Sequence, residues 1–170
     1  MDIEQALTGG NKRKLNNQGV IDFVLKNPKE VNTLFKCILN KDEYVRMRAS
    51  DALEKVCRQN PKIVQPLKKD ILEKMSTIDQ PSVQWHYAQI VDKLQLTTPE
   101  RERVISKLKD NFATYDDWIT KNITMEVLGH FAIKDKALKS YLIPKLESLK
   151  NNPKISISTR ATKILGQLTS

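Results

Sequence analysis

Apolar residues recur along this chain at helical spacing, and the recurrence is itself repeated. Between Asp42 and Val56 the apolar positions Val45, Ala49, Ala52, Leu53 and Val56 follow i, i+4, i+7, i+8, i+11, which places them on one helical face. The same spacing returns 38 residues on, in Val83, Tyr87, Ile90, Val91 and Leu94. It returns again 74 residues beyond those, in Ile157, Ala161, Ile164, Leu165 and Leu168. Thr124, Val127, Leu128 and Phe131 fit with one adjusted turn, and Val20, Ile21 and Val24 with a shorter offset. Other amphipathic segments alternate with these: Leu34, Phe35, Ile38 and Leu39; Ile63, Leu67, Ile71 and Met75; Val104, Ile105, Leu108 and Phe112; Leu142, Leu146 and Leu149. The pattern predicts about nine or ten helices arranged as four to five pairs, an all-α chain.

The punctuation agrees. Pro28, Pro61 and Pro99 follow Asn27, Asn60 and Thr98 at spacings of 33 and 38 residues. A capping side chain followed by proline starts a helix, because the proline has no N–H to leave unsatisfied. A fourth start falls near Asp135 without a proline, and Asp42 is placed to cap the second helix of its pair. Pro66 and Pro144 fall inside first helices and predict kinks. Asp2 to Leu7, followed by Thr8-Gly9-Gly10, reads as a short cap helix ending at glycine.

Paired helices at this period, with a proline in the first and Asp42…Val45-Arg46…Ala49-Ser50…Ala52-Leu53 in the second, resemble the HEAT family of the armadillo-like superfamily. Val83-Gln84, Thr120-Lys121 and Ile157-Ser158 stand where the other second helices would carry Val-Arg. The resemblance covers roughly residues 11–168. It implies a right-handed αα-superhelix forming a single domain over 1–170, with 1–10 as cap and repeats at about 11–27, 28–60, 61–98, 99–134 and 135–168. In such arrays the second helices line the concave side. The resemblance implies architecture and leaves function open.

Composition narrows the function classes. Hydrophobic residues make up 39% of the 170 residues and glycine only 5 of them, enough apolar material for a packed core. No run approaches 18 apolar residues, so no transmembrane helix is expected, and no apolar stretch follows Met1-Asp2-Ile3-Glu4-Gln5 to suggest a secretory leader. Two cysteines are too few for a disulfide scaffold, which points to the cytoplasm, with the nucleus as the alternative. Net charge is +9, carried by 22 lysines and only 7 arginines, and residues 101–170 hold 13 basic against 7 acidic side chains. The most one-sided stretch is 139–170, with Lys139, Lys145, Lys150, Lys154, Arg160 and Lys163 against Glu147.

Catalytic chemistry finds little footing. Glu126 and His130 share a predicted helix face, but His86 and His130 belong to no recognisable triad, and Cys37, Cys57, His86 and His130 lack zinc-site spacing. Gly9-Gly10, followed by Asn11-Lys12-Arg13-Lys14, lacks the remaining glycines of a phosphate loop. The cysteines adjoin apolar stripes and read as core thiols. No catalytic residue, metal or cofactor is expected. The leading expectation is a non-enzymatic scaffold that binds a protein partner through its concave surface, with Arg46, Arg48, Trp85, His86, Lys121 and Arg160 as candidate contacts. Arg46 has a competing role, in which it bonds the capping aspartate of a neighbouring repeat. Trp118 reads as a staple between repeats.

Two alternatives stand beside it. One is backbone binding of nucleic acid in a basic groove, with Lys55, Arg58, Lys93 and Lys163 joining the candidates above. The other is the HEAT-like branch of alkylpurine DNA glycosylases, which this chain resembles in being basic, helical and tryptophan-bearing. That branch places an aspartate one turn after a tryptophan, where Gln89 follows Trp85 and Asn122 follows Trp118 here. Oligomeric state is left open by the sequence.

Overall fold

The computed structural model describes residues 1–10 and 14–170. The expected start of the first repeat at Asn11, and Lys12 and Arg13, lie outside the described residues. Among the described residues the chain is all-helical, with eleven α-helices and three short 3₁₀ turns. Its contacts divide into two compact units, Met1–Leu96 and Thr97–Ser170.

The first unit opens with α1 (Ile3–Leu7), capped by the Asp2 carboxylate, and α2 (Gln18–Lys26). A 3₁₀ turn at Pro28–Glu30 leads into α3 (Val31–Ile38), and the Asp42 carboxylate caps α4 (Glu43–Gln59) as its sequence position predicts. The next first helix is broken into α5 (Pro61–Val64), a 3₁₀ turn at Gln65–Leu67, and α6 (Lys68–Glu73). Pro66 sits in the break, since it can supply no N–H to continue the ladder. A third 3₁₀ turn, Met75–Thr77, precedes α7 (Pro81–Val91), whose capping position is Gln80.

Helix α4 is the hub. It packs on α1, α2, α3, α5 and α7. Its predicted stripe is buried from Val45 to Val56, and so is the stripe that starts in α7 at Val83 and ends just past it at Leu94. Helix α4 also buries Arg48, Ser50, Asp51 and Glu54, because it is covered on more than one side.

The second unit contains α8 (Thr98–Thr114), α9 (Trp118–Ala132), α10 (Lys136–Leu149) and α11 (Ile155–Thr169). Thr97, one residue earlier than expected, caps α8 through a reciprocal box with Glu100. Pro144 lies within α10 without ending it. Helix α9 packs on α8, α10 and α11. The stripe from Ile157 to Leu168 is buried, whereas Leu39 and Trp118, each expected inside, are 45% exposed. Leu39 falls on the C-cap of α3 and Trp118 on the first turn of α9.

Helices α9 and α11 meet at Gly129. A Cβ built there would lie 2.7 Å from Cγ2 of Ile164, which is 2% exposed and has little room to yield. Gly129→Ala is therefore expected to destabilise the protein by about 1–3 kcal/mol, the cost of overpacking, despite the better helix propensity of alanine. In an Ile164→Ala background the same change should cost nothing. A double-mutant cycle in urea checks both expectations.

Candidate functional site

In the first unit, polar side chains are gathered where α2, α4 and α7 adjoin. Asp51 of α4 accepts from the Asn17 side chain at the head of α2 (2.8 Å) and pairs with Lys55 one turn on (2.8 Å). From α7, His86 Nε2 lies 3.5 Å from the other Asp51 oxygen. Burial pushes the Asp51 carboxyl up, but hydrogen bonds from His86, Lys55 and Asn17 outweigh it and hold the group well below the usual carboxylate range.

His86 is fixed from its other side as well. Its Nδ1 lies 2.6 Å from the Ser82 carbonyl oxygen, which can only accept, so Nδ1 carries a hydrogen. Nε2 also lies 3.1 Å from the indole N–H of Trp85. A ring with its single proton on Nδ1 accepts from Trp85, and a doubly protonated ring donates to Asp51. Trp85 itself is half-buried, its ring tilted 55° to the imidazole at 5.5 Å.

Arg46 and Arg48 are committed to the fold. Arg46 donates to Gln80 Oε1 (2.7 Å) at the capping position of α7 and to the carbonyls of Asn40 and Lys41. The contact joins α4 to the capping position of α7, with an amide where an aspartate was expected. Arg48 is 3% exposed and donates to the carbonyls of Leu7, Gly9 and Lys14, gathering the N-terminal segment around one guanidinium. Gly9 and Gly10 meet that demand with positive φ values of 75° and 72°. Arg48 and His86, at 3% and 6% exposure, thus lie inside. Their apolar-flanked positions in the sequence gave no sign that polar partners would meet them there.

What remains outward on α4, and on and just past α7, is a set of cations around Trp85 with largely buried acids beneath them. Its cations stand beside acids: Lys55 with Asp51 (2.8 Å), Arg58 with Glu54 (3.7 Å), and Lys93 with Asp92 (3.0 Å). Lys93 also lines a cleft of about 680 Å³ with Gln59, Pro61, Lys62, Gln65 and Pro66.

In the second unit, Arg160 of α11 pairs with Glu126 of α9. Lys121 lies 5.6 Å from the Phe112 ring and 3.6 Å from Asp116. Asn122, at the place of the glycosylase aspartate, is 7% exposed. The cysteines are buried. Burial, with Glu4 and Asp2, pushes Cys37 up to about 11, and burial, with Glu54, pushes Cys57 up to about 12, so neither is a ready nucleophile. Among the described residues no cluster of His, Cys, Asp and Glu could hold a metal ion, and no helix is long and apolar enough to cross a membrane.

No protein-family model matches the chain, and no curated protein matches it.

The Asp51 cluster has a testable signature. Asp51→Asn leaves Lys55 and His86 without their carboxylate and is expected to cost about 3 kcal/mol at pH 7, as breaking a buried pair does. The folded-state carboxyl is depressed, so its contribution is complete above the unfolded-state value near 4 and fades as pH falls. Urea melts of wild type and variant at pH 7 and pH 3 should show the gap narrowing at the lower pH.

Proposed function

We propose that this chain is a non-enzymatic helical-repeat scaffold of HEAT or armadillo type, acting in the cytoplasm, that binds a protein partner through the surface of its second helices. The observation that carries this reading is the face around Trp85. A phosphate-tracking groove draws its affinity from cations free to neutralise phosphates and release counterions. Here Lys55, Arg58 and Lys93 each already face an acid. Cations already neutralised by acids beneath them, around a half-exposed tryptophan, suit a protein interface, in which an aromatic anchor is ringed by polar groups that set register. The cleft beside Lys93 supports the same reading, because its two prolines and several amides offer flat apolar contact and hydrogen bonding suited to a polypeptide.

The consecutive packing of α2 on α4 and α4 on α7 supports the repeat assignment, since second helices of successive pairs adjoin in such arrays. The glycosylase alternative gains nothing from Gln89 or from the buried Asn122.

Photo-crosslinking tests the proposal. A benzophenone amino acid at Gln89, on the outward side of α7, should trap discrete protein adducts in cells. Trp85→Ala, checked for folding by circular dichroism, should reduce them at least fivefold, and the probe at exposed Lys69 on α6 should give few. Equal trapping from both positions, or adducts that nuclease removes, would sink this assignment of the surface.

A further inference from the structure

Lysines and aromatic rings alternate in the second unit. Lys109 of α8 and Lys145 of α10 both bear on the Tyr141 ring, with ammonium groups 4.2 and 4.8 Å from its centre. Lys121 of α9 lies over Phe112, and Lys154 at the head of α11 lies 5.4 Å from the Trp118 ring. Phe112, Lys121, Tyr141 and Lys145 line one cleft of about 190 Å³. Trp118 and Lys121 are three residues apart on α9 and so share a face, which extends the cluster from the cleft to the exposed indole. Among the described residues, Asp116 is the one carboxylate paired with any of these four lysines, and its own side chain is 98% exposed.

This pattern differs from the face around Trp85. There the cations meet acids, whereas here they rest on rings. Four positive charges next to the 45% exposed indole of Trp118 and the half-buried ring of Tyr141 demand an anion that can also present flat apolar surface. An acidic peptide supplies the charge without the flat surface. A duplex supplies phosphates but keeps its bases stacked inside. An unpaired strand supplies both.

We infer that the Lys109, Lys121, Lys145 and Lys154 cluster around Trp118 and Tyr141 is a binding surface for single-stranded nucleic acid. The lysines swing from the rings to phosphates, and bases take their place on the accessible faces of Trp118 and Tyr141. The exchange is favourable because a base stacks on an aromatic ring more strongly than an exposed lysine holds it, and the displaced ammonium gains a phosphate. The backbone is read as charge, and the rings accept any base, so the surface is tolerant of sequence. It lies within Thr97–Ser170 and does not depend on the protein-binding reading of the α4–α7 face.

Fluorescence anisotropy of a labelled twelve-nucleotide oligothymidylate, titrated with the full chain, tests this. Four phosphate contacts predict that affinity falls about fiftyfold between 50 and 200 mM salt. Lys109→Gln with Lys145→Gln should flatten that to about sevenfold, as two contacts remain. Trp118→Ala, at an exposed first-turn position, should weaken binding about tenfold at fixed salt. Should Trp118→Ala lose helicity by circular dichroism, the altered salt dependence of the double lysine variant decides the matter. Absence of binding at 50 mM salt would overturn the inference. So would a labelled oligoglutamate or duplex of equal length binding as tightly, or a salt dependence unchanged by the lysine substitutions.

Discussion

A carboxylate buried in a helical core must be met by donors, and Asp51 is met from two other helices. Asn17 reaches it from the head of α2 and His86 from α7, while Lys55 closes the set from α4 itself. Apolar stripes alone would let neighbouring helices slide by a turn at modest cost. A buried charge that has to find these partners favours one register, because a displaced arrangement takes Asn17 and His86 from it and leaves Lys55 alone to meet it. The second arginine of the Val-Arg-Met-Arg stretch acts similarly at the N-terminal edge, where Arg48 draws three carbonyls onto one guanidinium.

The second unit reaches its register by other means. Helices α9 and α11 approach at Gly129 so closely that a methyl group would collide with Ile164. Arg160 and Glu126 then bridge the two helices beside that contact. Arg101 ties α8 to the turn before α10, donating to Asp135 (2.9 Å) and to the Phe131 carbonyl (2.9 Å). That guanidinium holds the Asp135 carboxyl below its usual range. Polar locking in one unit and close apolar approach in the other serve the same end.

The structural use of charge also sorts the surface. A basic chain invites a nucleic-acid reading, but much of its arginine is spent on construction. Arg46, Arg48 and Arg101 hold backbone carbonyls, and Arg58 and Arg160 face glutamates. The cations left for partners are mainly lysines. Where they stand among acids they suit a protein surface, and where they stand among rings they suit an unpaired strand. Net charge therefore says less about partners than the company each charge keeps.

The helices were legible in the chain because burial in α-structure imposes a 3.6-residue period that survives without any knowledge of neighbours. Val45 to Val56, Val83 to Leu94 and Ile157 to Leu168 are buried as their spacing required, and Asp2, Asp42 and Asp135 cap the helices they precede. The candidate site was much less legible. Arg46, Trp85, Lys121 and Arg160 were chosen as polar or aromatic positions off the stripes, and so were Arg48 and His86, yet the last two are interior. Local spacing tells which face of a helix is apolar, but it cannot tell how many neighbours cover that helix. Only the packing of α4 against five other helices turned its polar positions inward, and only the assembled second unit brought lysines from three helices and the cap of a fourth onto its aromatic rings.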